Sequence, residues 1–274
     1  MIQTKTTFLR AGFILCILLT IGFAGCVHQQ QEAMPESPFT DTILRIGVTD
    51  GPKQLVGTDG KGNYTGLEIE LLNILAKQSG CLPEFTKYSK EELIFALRRG
   101  EIDIAVPCAT DAEIRDQFLL PCAPHLKTGQ RIIAGASVAM YIKSPEQLNS
   151  ADITVLTVAD SVSANLAKSV FPAAEKISLR TAKMCLDRLK HKTGNVFMLD
   201  ACRAYMVKKH FDNRKEEQAI KVILPPLTDE HICWALRRSD TARCTWLNNF
   251  INELRGKSIL QDLIEKYNAD IINR

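Results

Sequence analysis

From residue 43 onward, short apolar runs alternate with stretches of helical period. Ile43–Val48 reads as a strand, and Asp59-Gly60-Lys61-Gly62 as a Gly-rich turn. Leu67, Leu71, Ile74 and Leu75 share one helical face, with Gly80 as a stop. Lys90–Arg99 repeats the pattern through Leu93, Ile94 and Leu97, closed by Gly100, and Ile102–Val106 reads as the next strand. After about residue 130 the alternation restarts. Ile153–Val158 is a strand, and a helix begins near Ser161. Ala182, Cys185, Leu186 and Leu189 mark another helix, and Val196–Leu199 another strand. Leu224-Pro225-Pro226-Leu227 interrupts regular structure. Beyond it come a strand, Ile232–Leu236, and two amphipathic helices, the first carrying Trp246, Leu247, Phe250, Ile251 and Leu254, the second Ile259 to Tyr267. Such alternation argues for α/β layers with largely parallel sheets. A chain that builds one lobe, builds a second and then returns crosses between lobes twice, and paired crossings make a hinge. The expected organisation is lobe one over 42–129 and 228–274, and lobe two over 130–227.

The N-terminus departs from this pattern. Lys5 and Arg10 precede an uncharged apolar run, Ala11 to Gly25, which ends at Cys26. The run suits the h-region of a signal peptide and is short for a membrane span. Phe23-Ala24-Gly25-Cys26 resembles a bacterial lipobox, which implies cleavage after residue 25 and a lipid on Cys26. Residues 27–41 are polar and aperiodic, with two prolines, which is tether composition. The chain is thus expected to be exported and held at a periplasmic or cell-surface face by its N-terminal lipid.

Charge narrows the partners. The chain has 274 residues and a net charge of +3. Residues 1–25 contain no acid, and the remainder carries 32 basic and 31 acidic residues. That near-neutral balance provides no general attraction to nucleic acid. Seven cysteines lie beyond the signal: Cys81, Cys108, Cys122, Cys185, Cys202, Cys233 and Cys244. Export permits disulfides, and an odd count leaves at least one free thiol in a monomer. No Cys-x-x-Cys and no Cys/His pair at zinc-ligand spacing occurs, and no cofactor is expected.

Three stretches carry a family resemblance. Gly66-Leu67-Glu68-Ile69-Glu70-Leu71 resembles a G-F-D-V-D-L helix start. Ala96 to Asp103 resembles A-L-x-x-G-x-x-D, followed by Thr110 and Arg115 as T-x-x-x-x-R and Thr128-Gly129-Gln130 as S-G-Q. Trp246 to Phe250, Gly256 and Ile264 to Tyr267 resemble the closing helices. In order and spacing, Leu44 to about Tyr267 is similar to the family 3 bacterial extracellular solute-binding proteins. These are polar amino-acid receptors of ABC importers with a two-lobed type 2 periplasmic-binding-protein fold. The resemblance implies a small polar ligand, namely an amino acid, and an ABC importer permease as partner.

The chemistry follows from the ligand. A free amino acid carries a carboxylate and an ammonium, and removing both from water is costly unless each gains a charged partner. Arg115 matches the family's carboxylate-binding arginine, whose guanidinium fork suits that group. Thr110 is either a ligand contact or a helix N-cap. Asp200, ending the Val196–Leu199 strand, matches the ammonium-binding aspartate, with a helix cap as the alternative. Ser161 is either a second clasp on the carboxylate or a plain cap. Departures concern the side-chain half of the pocket. Pro52-Lys53-Gln54-Leu55 replaces an aromatic segment, Lys90 replaces an aromatic, and Cys108 replaces a glycine. Asp50 approaches the same region. Lys53 and Lys90 read as solvated surface lysines or as contacts for an acidic ligand. Binding without catalysis is the favoured reading. The rivals are a cyclohexadienyl dehydratase, with Glu68 or Asp200 as its carboxylic acid, and a receptor whose cleft has turned to a protein partner.

Overall fold

A computed structural model describes residues 35–213, 220–223 and 226–270. The signal segment, Cys26, residues 27–34 of the tether, and Leu224-Pro225 lie outside these.

In chain order the elements begin with β1 (Ile43–Val48), the hairpin β2 (Gly57–Thr58) and β3 (Tyr64–Thr65), and α1 (Leu67–Ser79). Next come β4 (Leu82–Lys87), α2 (Lys90–Arg99), β5 (Ile104–Thr110), α3 (Asp111–Asp116) and β6 (Leu120–Thr128). The chain then enters a second lobe through β7 (Gln130–Gly135) and α4 (Ala136–Ala139). There it forms β8 (Thr154–Val158), α5 (Val162–Val170), β9 (Glu175–Leu179), α6 (Ala182–Lys190), β10 (Val196–Asp200), α7 (Ala201–Asn213) and β11 (Ile220–Ile223). It returns through β12 (Glu230–Leu236), α8 (Thr241–Gly256) and α9 (Ile259–Tyr267).

Two five-stranded sheets result, ordered β4-β1-β5-β12-β6 and β11-β7-β10-β8-β9. Each has a parallel trio, β4-β1-β5 in one and β9-β8-β10 in the other. Beside each trio lies one antiparallel strand, β12 or β7, and that strand is the one arriving from the other lobe. The sheets are therefore mixed, a pattern that adjacent-strand periodicity does not disclose.

The strand expected at Ile102–Val106 lies at Ile104–Thr110. Asp103 leaves the ladder to receive the Arg45 guanidinium, at 2.9 and 3.0 Å. Pro107 would ordinarily end a strand. Here Ala109 and Thr110 pair with Cys233 and Ile232 across an irregularity in the ladder, so the strand continues.

The first lobe's core is built around Trp234, fully buried on β12. Phe250 of α8 stacks on it at 6.4 Å, and Trp246 stacks on Phe250 at 6.1 Å. Leu67, Leu71, Leu72 and Leu75 of α1 are fully buried in the same core, and Gly80 ends that helix in a left-handed turn. A disulfide joins Cys122 of β6 to Cys244 of α8. Closing a loop of that length restrains the unfolded chain and contributes about 2–5 kcal/mol. The tether ends sooner than its composition suggests. Phe39 is buried edge-on to Trp246, whose indole N–H donates to the Pro35 carbonyl at 2.8 Å. Those two partners come from the far end of the chain, which local polarity does not reveal.

In the second lobe, helices cover both sheet faces. Ile132, Val155, Val196, Met198 and Phe171 fill one side, and Ile133, Leu156, Phe197, Leu199, Cys185 and Leu189 the other. The two crossings run side by side. Gln130 N–H donates to Thr228 Oγ1 at 2.8 Å, and Leu227 N–H to the Gln130 carbonyl at 2.8 Å. A Cβ on Gly129 would stand 2.1 Å from the Thr228 carbonyl oxygen, so the middle residue of Thr128-Gly129-Gln130 has to be glycine. The Gln130 side chain is buried between Ser163 of lobe two, at 2.6 Å, and Glu230 of β12, at 3.3 Å.

Candidate interlobe binding site

The C-terminal ends of β5 and β10 face each other across the lobes, the place where α/β sheets present ligand-binding groups. Thr110, ending β5, is buried and caps α3. Its hydroxyl accepts from the Glu113 N–H at 3.3 Å while the Glu113 carboxylate accepts from the Thr110 N–H at 3.2 Å. That reciprocal box fixes the first turn of α3. Glu113 then lies only 11% exposed, with Oε1 3.0 Å from Arg203 Nη1 of α7.

Asp200, ending β10, is 2% exposed. One oxygen accepts from the Arg203 N–H at 3.0 Å and starts α7; the other lies 2.9 Å from Arg203 Nη1. A single guanidinium nitrogen therefore bridges a carboxylate from each lobe. Lys90, at the start of α2, completes the cluster with Nζ 3.8 Å from Glu113 Oε1.

These groups shift one another's protonation. Burial pushes the Asp200 carboxyl up, the Arg203 charge opposes that, and the Glu113 charge adds to it, leaving Asp200 above the usual carboxylate range. Burial also acts on Glu113, but Arg203, Lys90 and the Thr110 N–H outweigh it, so Glu113 stays below its usual value. Arg203 is held firmly charged, chiefly by Asp200. The cluster thus pairs two cations with two carboxylates.

The other candidate residues lie around this centre or away from it. Arg115 is exposed on α3 and forms no side-chain hydrogen bond or ion pair among the described residues. It does not join Asp200. Ser161 caps α5, accepting from the Ala164 N–H at 3.1 Å and donating to the Val158 carbonyl at 2.7 Å. Asp50 pairs with Lys87 at the surface, at 2.7 Å, beside a cavity of about 130 Å³ lined by Val48, Thr58 and Tyr64. Lys53 is exposed. Its neighbour Gln54 reaches across the lobes and donates to the Tyr205 hydroxyl at 2.9 Å. Cys108 is buried with a left-handed backbone, φ 50°, and its Sγ fills the space beside Gly51. Glu68 is not in the cleft. It is fully buried in lobe one, bonded to His125 at 2.8 Å and to the Trp234 indole N–H at 2.6 Å. Among the described residues, no group of three His, Cys, Asp or Glu side chains could hold a metal ion.

Sequence reasoning passed over Glu113 and Arg203. The signal for Glu113 was available, since Thr110-Asp111-Ala112-Glu113 is a capping-box pattern. Arg203 had none beyond its place three residues after Asp200.

Residues 44–270 match the bacterial extracellular solute-binding proteins of family 3. The chain belongs to that family. A family 3 protein of this kind is extracellular, so the chain is exported. It is 20% identical over 260 residues to a probable histidine-binding protein of Neisseria gonorrhoeae, covering 94% of each chain. Among solved structures it is similar to an ancestral amino acid-binding protein described as a precursor of cyclohexadienyl dehydratase. That match has 26% identity and a TM-score of 0.61, over 82% of this chain and 95% of that one. The fold is also that of a binding component of an ABC transporter from Wolinella succinogenes complexed with lysine, with 22% identity and a TM-score of 0.64 over 82% and 95%. This family 3 protein accordingly has two lobes, and Asp200 and Glu113 stand on opposite sides of its hinge.

Proposed function

We propose that this chain is a lipid-anchored receptor that captures a free amino acid by closing its two lobes and delivers it to an ABC importer. The observation that carries the reading is the Glu113–Arg203–Asp200–Lys90 cluster spanning the lobes. An amino acid needs one cation for its carboxylate and one anion for its ammonium, both out of water. The cluster holds both kinds, paired with each other. In the proposed bound state the ligand carboxylate takes Arg203, the role that the sequence motif assigned to Arg115, and the ammonium takes Asp200. Thr110, Ser161, Cys108, Lys90 and Asp50 line the surrounding wall. Lobe one is proposed to comprise 42–129 and 228–274, and lobe two 130–227. A ligand stabilises the closed state only through contacts stronger there than in the open one. A group bridging Glu113 or Lys90 to Asp200 or Arg203 meets that condition.

Thermal unfolding in the presence of each amino acid tests this. A binder raises stability by about 2.7 kcal/mol at a hundredfold excess over Kd; no shift with any amino acid rejects the reading. Cys26→Ser tests the anchor, since that variant should leave the membrane fraction. The raised proton affinity of Asp200 favours one other reading, a cleft carboxylic acid acting on prephenate as in cyclohexadienyl dehydratases. Turnover of prephenate by the purified chain decides between them.

A further inference from the structure

Apart from the Arg203–Glu113 ion pair, α7 of lobe two makes a neutral side-chain contact with lobe one. Gln54 Nε2 donates to the Tyr205 hydroxyl at 2.9 Å, between residues 151 positions apart. Both ends of that bond are firmly set. Gln54 lies in the turn Pro52–Val56, closed by the Leu55 and Val56 N–H groups on the Pro52 carbonyl at 2.8 and 3.0 Å. The Gln54 carbonyl accepts from the Leu67 N–H at 2.9 Å, and the Leu55 carbonyl from the Glu68 N–H at 3.1 Å. The turn thus satisfies the start of α1, which has no side-chain cap. Gly66 permits this approach, since at φ 119° its Cβ would stand 2.3 Å from the Leu55 oxygen. Leu55, fully buried, anchors the turn in the lobe-one core. Tyr205 lies one turn into α7, whose first N–H, that of Ala201, donates to the Gly129 carbonyl in the hinge at 3.1 Å. The helix straddles the lobes. Ala204 and Val207 pack into lobe two, and the Tyr205 ring packs against the lobe-one core.

The polar groups of this contact make it sensitive to closure. The Gln54 amide has two polar ends, and Tyr205 meets one. The other, Oε1, is buried with no hydrogen-bond partner. Turning the amide round exchanges the two ends and leaves the same count. Water reaches both ends once α7 lifts from lobe one. With the lobes together, the Tyr205 hydroxyl is what keeps the amide from being buried wholly unpartnered, which is the costly case. Neither group carries a charge for an amino acid's carboxylate or ammonium, so the bond is made from protein atoms alone, whatever the cleft holds.

We propose that the Gln54–Tyr205 bond is a ligand-independent latch. It holds α7 on lobe one, keeps a share of the receptors closed before solute arrives, and so sets the general affinity without selecting among ligands. The latch rests on hinge closure as proposed above and not on which solute binds. A ligand that takes the closed form meets a smaller penalty when that form is already populated, and its apparent affinity falls as that population falls.

The experiment compares the full chain with Tyr205→Phe, Gln54→Leu and the double variant. Tyr205→Phe keeps the ring and leaves the amide unpartnered. The double variant replaces both partners by apolar groups. Closure is read without added amino acid, from the radius of gyration in solution scattering and from hydrogen exchange across Ala201–Val207. Tyr205→Phe should lower the closed-to-open ratio about fivefold or more, the effect of one buried polar group losing its partner. Its radius should grow and its exchange quicken. Gln54→Leu should loosen closure in the same direction. The double variant should recover part of the Tyr205→Phe loss, because no polar group is then buried alone. Calorimetry should find every amino acid that binds weakened by one common factor in Tyr205→Phe. An unchanged radius and unchanged exchange in Tyr205→Phe overturn the latch. So does an equal loss in Tyr205→Phe and the double variant, which would assign the seat of α7 to packing alone. Unequal factors among ligands overturn its independence of ligand. If no amino acid binds, the ligand assignment fails while scattering and exchange still decide the latch.

Discussion

Two charged clusters sit in this molecule, one fully buried and one partly so, and they differ in which bodies they join. Glu68, His125 and Trp234 come from α1, β6 and β12, all in lobe one. Both ring nitrogens of His125 meet acceptors, Nε2 the Glu68 carboxylate and Nδ1 the Ala123 carbonyl at 2.7 Å, an arrangement that favours the protonated ring and raises its proton affinity against the opposing effect of burial. Every polar atom there has a fixed partner on the same rigid body. Glu113, Arg203, Asp200 and Lys90 have comparable chemistry but are divided between lobes. Of their contacts only Arg203–Glu113 crosses between the lobes, so it alone would break on hinge opening, while Asp200–Arg203 and Lys90–Glu113 each stay within one lobe. The same ingredients make a fastener in one place and a switchable site in the other. What separates them is connectivity: a pair within one sheet packing separates only on unfolding, and a pair across a hinge separates on opening.

Breaking each cluster should expose that contrast. The largest effect is expected from Glu68→Ala, which leaves a charged His125 buried without its counter-ion. Removing one partner of a buried ion pair costs about 3–5 kcal/mol. Chemical denaturation should show that loss, with scattering from the folded fraction unchanged. A loss under about 1 kcal/mol would place His125 outside the charged state.

Asp200→Asn comes next. Asparagine caps a helix as well as aspartate does, so α7 should persist while the negative charge goes. Truncating one partner of a desolvated charge pair costs about 2–5 kcal/mol, which is roughly 30-fold or more in affinity. Calorimetry with the amino acid that gives the largest thermal shift measures it. Arg203→Ala should weaken binding on the same scale, and it should also enlarge the radius of gyration of the ligand-free chain by releasing Glu113 from lobe two. Arg115→Ala discriminates between motif and structure. With Arg203 as the carboxylate partner, Arg115→Ala shifts affinity by less than about 0.5 kcal/mol, as a surface change does. The opposite ranking of the two variants would return the role to Arg115.

The smallest expected effect is a pH dependence from the intralobe cluster. Burial alone would lower the His125 proton affinity, but Glu68 and the Ala123 carbonyl outweigh it, so its folded pKa is raised. The imidazolium therefore stabilises the fold fully below the unfolded histidine value of about 6.5. That contribution is lost as pH rises through the higher folded value. Melting temperature should decline across that alkaline window in the wild type, and less steeply in Glu68→Gln. Equal slopes would separate Glu68 from the titration.

Much of the fold was legible along the chain because its causes are local. Gly80 and Gly100 end helices at the expected places, Ser161 caps α5, and the apolar spacing of Leu67, Leu71 and Leu75 matches the buried face of α1. The glycine of the hinge motif has a non-local cause, since Gly129 is required by the carbonyl of Thr228 on the other crossing. Strands β4, β6, β7 and β9 were not singled out. β6 holds Pro121, Pro124 and His125, and it exists because β12, more than a hundred residues later, supplies its ladder.

The sequence by itself determined the two-lobed family fold, the ends of most elements and the position of Asp200 at a strand terminus. Those depend on periodicity, caps and turns within a few residues. Only the tertiary structure decided which arginine meets Asp200. Arg115 and Glu113 lie two residues apart on α3, a separation that points them in different directions. The capping box at Thr110 turns Glu113 toward the other lobe and leaves Arg115 exposed. Arg203 then fills the gap because α7 begins where β10 ends, against lobe one. A motif can specify that a charge is present, but its partner is set by the rotation of one helical turn and the approach of two bodies far apart in the chain.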